Sequence, residues 1–206
     1  GGDSWTAPSV QTLEFGLAHV AFGDDPDTVF ASGFVVHRSD DGGDTWQSLR
    51  AFAHRTEALA VSPSYTLDAT VAVAFGRVGD GVEIGTLGGS VWTPALTGLV
   101  DDRVNDVAIA VDGTCFAVVS AGECYRANTP GADWVLINEG LEDLTLQTSD
   151  HFLGVAVSPA FDSDGRAFVA AFEGLFGSTD AGQTWSQYDI YNQRINRRVV
   201  VSPGYA

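Results

Sequence analysis

One short pattern constrains this chain more than any other feature. Ser39-Asp40-Asp41-Gly42-Gly43-Asp44-Thr45-Trp46 and Ser178-Thr179-Asp180-Ala181-Gly182-Gln183-Thr184-Trp185 both read S-x-D-x-G-x-T-W. Gly89-Ser90-Val91-Trp92 and Gly131-Ala132-Asp133-Trp134 are eroded copies, and Gly2-Asp3-Ser4-Trp5 is the tail of another. The five tryptophans, Trp5, Trp46, Trp92, Trp134 and Trp185, therefore mark a repeat with intervals of 41, 46, 42 and 51 residues. A repeat of that length is the mark of a solenoid, a propeller or an array.

A second element recurs upstream of the pattern. Ala60-Val61-Ser62-Pro63, Ala156-Val157-Ser158-Pro159 and Val200-Val201-Ser202-Pro203 are three copies, with Val20-Ala21-Phe22 and Val107-Ala108-Ile109 as weaker ones. After it come a polar turn, an alternating strand such as Arg166-Ala167-Phe168-Val169-Ala170, a glycine-containing turn, and a short strand such as Gly174-Leu175-Phe176-Gly177. Each unit thus predicts four short antiparallel strands, with the S-x-D-x-G-x-T-W turn between the third and the fourth, as in a propeller blade. A single blade cannot bury both faces of its sheet, so blades must stack around a centre. No segment carries sustained 3.6-residue apolar periodicity, so helices should be nearly absent.

The two full patterns, with the V-S-P…D-G…F element before them, resemble the Asp-box (BNR) repeat of the sialidase, xyloglucanase and sortilin-like β-propellers. The chain looks most like the uncharacterised secreted BNR-repeat proteins. The resemblance implies an all-β fold of four-stranded blades and an architectural box. Asp41 and Asp180 would accept backbone N–H groups of their own turns, Gly43 and Gly182 would take positive φ, and Trp46 and Trp185 would pack between sheets beside Ser39 and Ser178. Trp46, Trp92, Trp134 and Trp185 should all be buried. In register the division is 1–16 as the last strand of a blade, then blades over 17–51, 52–98, 99–140 and 141–192, then 193–206 as a first strand. Four complete blades with one strand at each end make an arc of a larger propeller of six to eight blades. The remaining blades of the same polypeptide or a neighbouring subunit would cover the ends.

Composition narrows the partners. The net charge is −17, and all 10 basic side chains are Arg. Such a surface repels phosphates and anionic lipid heads, so nucleic acid and membranes are poor partners. No apolar run is long enough to span a bilayer. Cys115 and Cys124 fall on successive strands of one hairpin, but a turn near Ala121-Gly122 would set Cys124 opposite about Val119. Cys115 is then out of register, and two buried free thiols are expected.

In a propeller of this kind the first strand of each blade lines the central channel, and the segment leading into it lies on the face that binds ligands. Polar residues there fall in matching registers: Arg55, Arg103 and His151 in one, Glu57, Asn105 and Arg197 in another. His54, Arg55, Glu57, Asp102, Arg103, Asn105, Asp150, His151, Arg194 and Arg197 are the candidate ligand-binding residues. Neither the Arg-Ile-Pro motif of sialidases nor a Tyr–Glu pairing is present. A glycosidase would need two facing carboxylates, for which Asp101, Asp102, Asp106 and Asp150 are the candidates. Asp162-Ser163-Asp164-Gly165 lacks the downstream Glu of an EF-hand and reads as a turn. His19, His37, His54 and His151 have no zinc spacing, and no cofactor motif is present. The expectation is a non-catalytic scaffold or binding module, extracellular or in the cell envelope, recognising a glycan or a protein. A glycoside hydrolase fragment is the alternative, and an assembly factor for a membrane complex is a second one.

Overall fold

The structure is a computed structural model that describes residues 16–141, 152–188 and 198–205. Sixteen strands form four antiparallel four-stranded sheets, each a simple meander in chain order. The first sheet holds β1 (His19–Phe22), β2 (Val29–Ser32), β3 (Val35–Ser39) and β4 (Gln47–Ala51). The second holds β5 (Ala58–Val61), β6 (Val71–Ala74), β7 (Val82–Thr86) and β8 (Val91–Pro94). The third holds β9 (Val104–Ile109), β10 (Cys115–Val119), β11 (Glu123–Ala127) and β12 (Val135–Leu136). The fourth holds β13 (Phe152–Val157), β14 (Ala167–Ala171), β15 (Gly174–Ser178) and β16 (Ser186–Gln187). The first strands β1, β5, β9 and β13 are neighbours in that order, as the inner edges of successive propeller blades are. Among the described residues helix is confined to three short turns: α1 (Tyr65–Asp68), α2 (Phe161–Asp164) and a 3₁₀ turn at Leu87–Gly89.

The blades hold together through apolar layers between sheets. Second strands are almost wholly apolar, and β2, β6, β10 and β14 are buried along their whole length. β6 and β10 lie between two blades, and β14 lies between the third blade and the segment around Tyr205. One cluster joins the second and third blades through Ala72, Ala74 and Ile84 against Ile109, Cys115 and Ala117. Another joins the third and fourth through Phe116 and Val118 against Val155, Ala167 and Val169.

A recurring aromatic contact sits across these layers. The S-P-x-(Phe/Tyr) segment after a first strand folds into one helical turn, tied by Ser62 Oγ donating to Asp68 (2.6 Å) and Ser158 Oγ to Asp164 (2.6 Å). The turn points its aromatic ring edge-on at the second-strand Phe of the preceding blade. Tyr65 meets Phe30 at 5.2 Å and Phe161 meets Phe116 at 5.5 Å. Tyr205 repeats the contact on Phe168 at 5.8 Å, from Ser202-Pro203-Gly204-Tyr205, whose Tyr205 N–H donates to the Ser202 carbonyl as Tyr65 does to Ser62. Between the second and third blades the contact is missing. Ala72 stands where the other blades have Phe, and the third blade has a tight Asp112-Gly113 turn in place of the helical one.

Three expectations need correction. Trp134 and Trp185 are buried (4% exposed), but Trp46 and Trp92 are only half-buried. The indole N–H of Trp134 reaches the Ala95 carbonyl and that of Trp185 the Ile137 carbonyl, both in the preceding blade. Those of Trp46 and Trp92 turn back on Gly43 and Gly89 of their own turns. For Trp92 the difference comes from the tail of the preceding blade; the corresponding tail for Trp46 lies outside the described residues. Gly98 and Gly140, both at positive φ, let the tail approach so closely that a Cβ would collide with the Trp134 or Trp185 carbonyl. The tail of the first blade has Phe52 instead, which packs edge-on against Trp92 at 5.5 Å. Second, Cys124 pairs with Val118 rather than Val119; both cysteines are buried and free. Third, the segment from Arg198 onward forms no strand; it runs beside Gly154 and Phe168 of the fourth blade, with no pairing partner among the described residues.

Candidate functional site

A meander puts its turns at two ends. One end holds the β1–β2 type turns and the S-x-D-x-G-x-T-W turns, hereafter the box face. The other holds the linkers between blades and the β2–β3 type turns, the linker face.

On the box face several carboxylates are engaged by their own loops, while Asp24 accepts the Thr66 N–H (2.9 Å) and hydroxyl (2.5 Å) of the next blade. Asp41 accepts the Thr45 N–H (2.8 Å), the Thr45 hydroxyl (2.5 Å) and the Ser39 hydroxyl (2.7 Å). Asp180 does the same with Thr184 and Ser178 at 2.9, 2.6 and 2.7 Å. Ser39 and Ser178 in turn accept the N–H of Gly43 and Gly182 at 2.8 Å. The hydrogen bonds from Thr45 and then Ser39 hold the Asp41 carboxyl down at about 2. In Asp180 slight burial works the other way, yet the bonds from Thr184 and Ser178 keep it below the ordinary range. Asp25, Asp68, Asp112 and Asp164 likewise accept backbone N–H groups two or three residues on.

The linker face is less self-contained. Between the first two blades it opens into a pocket of ≈ 280 Å³ lined by Phe52, His54, Phe75, Asp80, Glu83, Leu96 and their neighbours. Phe52 packs edge-on against Phe75 at 5.1 Å, and the Arg50 guanidinium lies 5.2 Å over its ring. Arg50 also meets Glu83 at 3.2 and 3.4 Å, and His54 Nδ1 lies 2.6 Å from Asp80. Arg55 and Arg77 are exposed beside it.

Towards the channel, Asp106 accepts the N–H of Val107 (2.9 Å) and of Val155 (3.0 Å), which ties the third blade's inner strand to the fourth's. Burial pushes its carboxyl up to about 6 against those bonds and the charge of Arg198. His19, on the inner strand of the first blade, is lowered by burial and then by the charges of Arg198 and Arg55. Positive and titratable groups of several blades thus converge on the channel mouth.

Of the residues expected from sequence, His54 and Asp102 grip the same loop. His54 holds Asp80, and Asp102 accepts the Gly79 N–H at 2.6 Å. Arg103 folds back on Asp101, with bonds of 3.0 and 2.8 Å. Asn105 accepts the Ser120 hydroxyl at 2.9 Å, and Glu57 is exposed over Gly76. Asp150, His151, Arg194 and Arg197 lie outside the described residues. Sequence reasoning missed Arg50, Phe52, Asp80 and Glu83, because they come from strand ends and a β2–β3 type turn rather than from the linkers. An apolar–charged alternation at Arg50-Ala51-Phe52 was the available signal. Among the described residues no group of three or more His, Cys, Asp or Glu is placed to hold a metal, and no helix is long and apolar enough to cross a membrane.

No family model matches the sequence, and no curated protein matches it significantly. Solved structures do match in shape. YCF48 bound to a D1 peptide superposes with a TM-score of 0.65 at 21% identity, over 91% of this chain and 58% of that one. The GH74 enzyme of Niastella koreensis superposes with a TM-score of 0.65 at 16% identity, over 86% of this chain and 25% of that one. The chain therefore spans less than two thirds of either. At these identities the likeness is one of fold, and the fold is that of a β-propeller.

Proposed function

We propose that this chain is a binding module that takes an extended segment of a protein partner across its linker face. The observation that carries the reading is the contrast between the two ends of the blades. The box-turn carboxylates Asp41 and Asp180 are satisfied by their own turns, whereas the linker face offers a pocket, exposed Arg55 and Arg77, and charged groups gathered at the channel mouth. A concave site with apolar walls and a few convergent polar groups is where propeller-sized ligands are recognised. The likeness in fold to a propeller solved with a peptide supports a peptide over a glycan. Hydrolysis has less support. Among the described candidates Asp101 is held by Arg103, Asp102 by the Gly79 N–H and Asp106 by two backbone groups, and Asp150 lies outside the described residues.

Peptides selected from a random display library, bound to the chain and mapped by hydrogen exchange, test the reading. Protection of residues 52–57, 75–81 and 95–103, with the box turns unchanged, is the expected result. Protection confined to the box turns, or selection of oligosaccharides with hydrolysis and of no peptide, would overturn it.

A further inference from the structure

The pocket between the first two blades has a chemistry of its own. At ≈ 280 Å³ it stands at the small end of ligand pockets, which start at ~300 Å³, and has room for one long side chain. Its walls are apolar, from Phe52, Phe75, Pro94 and Leu96, and two carboxylates, Asp80 and Glu83, line it. Arg50 already displays the recognition such a site performs, its guanidinium over the Phe52 ring and its Nη2 on Glu83. Those contacts are long for a charge-assisted bond, which leaves Glu83 with acceptor capacity. Asp80 is engaged through Oδ2, by His54. An anionic group entering here meets both carboxylates inside a chain of net charge −17. A cationic one shares them with Arg50 and His54, which already lie on Glu83 and Asp80, and gains an aromatic floor for its stem.

We infer that this pocket anchors an arginine or lysine side chain of the partner segment, its aliphatic stem along Phe52 and Leu96 and its head between Asp80 and Glu83. The inference rests on the peptide-binding reading but names a feature of its own, so the two fail separately. Overall negative charge favours the encounter by drawing cations towards clefts lined with carboxylates.

The test uses Nα-acetyl-L-arginine amide as the probe and Nα-acetyl-L-norleucine amide as its uncharged counterpart, titrated into the full chain and followed by NMR. The arginine amide should shift the resonances of Ala51, Ala53 and Gly79, and bind at least about tenfold more tightly than the norleucine amide. Raising the salt to about 0.5 M should weaken it severalfold. Asp80→Asn with Glu83→Gln should abolish the preference. Should that double variant fail to fold, Ala53→Arg, at an exposed position on the pocket wall, supplies a tethered guanidinium that should displace the probe. Equal binding of the two amides, or an arginine amide that binds unchanged to either variant, would overturn the anchor. Selected peptides that bind the linker face equally well with Asp80→Asn and Glu83→Gln would remove the anchor and leave the module. Arginine-amide binding in a chain that takes no peptide would do the reverse.

Discussion

The two ends of the blades are built from similar material, Asp-rich loops closed by glycine, and they use it differently. In each full box turn a carboxylate sits at the centre of its own turn. Asp41 gathers two hydroxyls and one N–H from within four residues, which pins the hairpin between β3 and β4. On the linker face Asp102 reaches across 23 residues to the Gly79 N–H, and His54 across 26 to Asp80. Local bonds cost little chain entropy and make each turn an independent brace. Long-range ones fix one blade's loop against the next blade's linker, and they leave cavities where the loops do not fill the space. Stability should therefore concentrate at the box face and recognition at the linker face.

The largest expected effect that would sharpen this contrast is at the aromatic contact under the box-face turns. Phe161→Ala removes a ring that is 4% exposed and packed on Phe116. It should cost about 3–5 kcal/mol in a denaturant melt, with the fourth blade loosened first. A loss under about 1 kcal/mol would mean that the blades are held by their strands alone. Asp180→Ala should cost less, about 1–2 kcal/mol, by orphaning the Thr184 N–H and its turn partners. Peptide affinity should not change.

Acid separates Asp41 from Asp106 by sign. The Asp41 carboxyl ionises near 3.8 when unfolded and near 2 when folded. Its contribution is present above about 3.8 and is lost as the pH falls towards 2. Asp106 runs the other way, since folding raises it from 3.8 to about 6. Its ionised form weakens the fold above about 6, and the penalty fades as the pH drops from 6 towards 3.8. Asp106→Asn should flatten stability between pH 6 and 4, and Asp41→Asn should flatten it below 4, in thermal melts against pH. The same slope in both variants would contradict the assignment. The smallest effect is expected at Arg55→Ala and Arg77→Ala, exposed positions where stability should stay within about 0.5 kcal/mol.

The repeat was legible because its turns carry their chemistry in adjacent residues. Ser, Asp, Gly, Thr and Trp within eight positions fix a hairpin whatever surrounds them, so four-stranded blades could be counted from the letters alone. The depth of each tryptophan was not legible in the same way. It depends on whether the preceding blade's tail has Gly98 or Gly140, or Phe52, a residue from another repeat. The aromatic contact was half visible: Ser-Pro-x-aromatic recurs, but its partners Phe30, Phe116 and Phe168 look like ordinary strand residues until the sheets stack. The pocket was least visible of all. Arg50 is on β4 and Glu83 on β7, and only the packing of one blade on the next brings them to 3.2 Å. Of the linker residues read from sequence, His54 and Asp102 grip one loop, Arg103 and Asn105 bond within their own blade, and Asp150, His151, Arg194 and Arg197 lie outside the described residues.

Peptide affinity and thermal stability measured together on two variants test the division between faces most directly. One combines Arg55→Ala with Arg77→Ala, and the other is Asp180→Ala. The first should weaken a selected peptide about tenfold with its melting point unchanged, and the second should lower the melting point with affinity unchanged. Loss of affinity in Asp180→Ala together with intact binding in the arginine variant would place recognition on the box face and contradict the account.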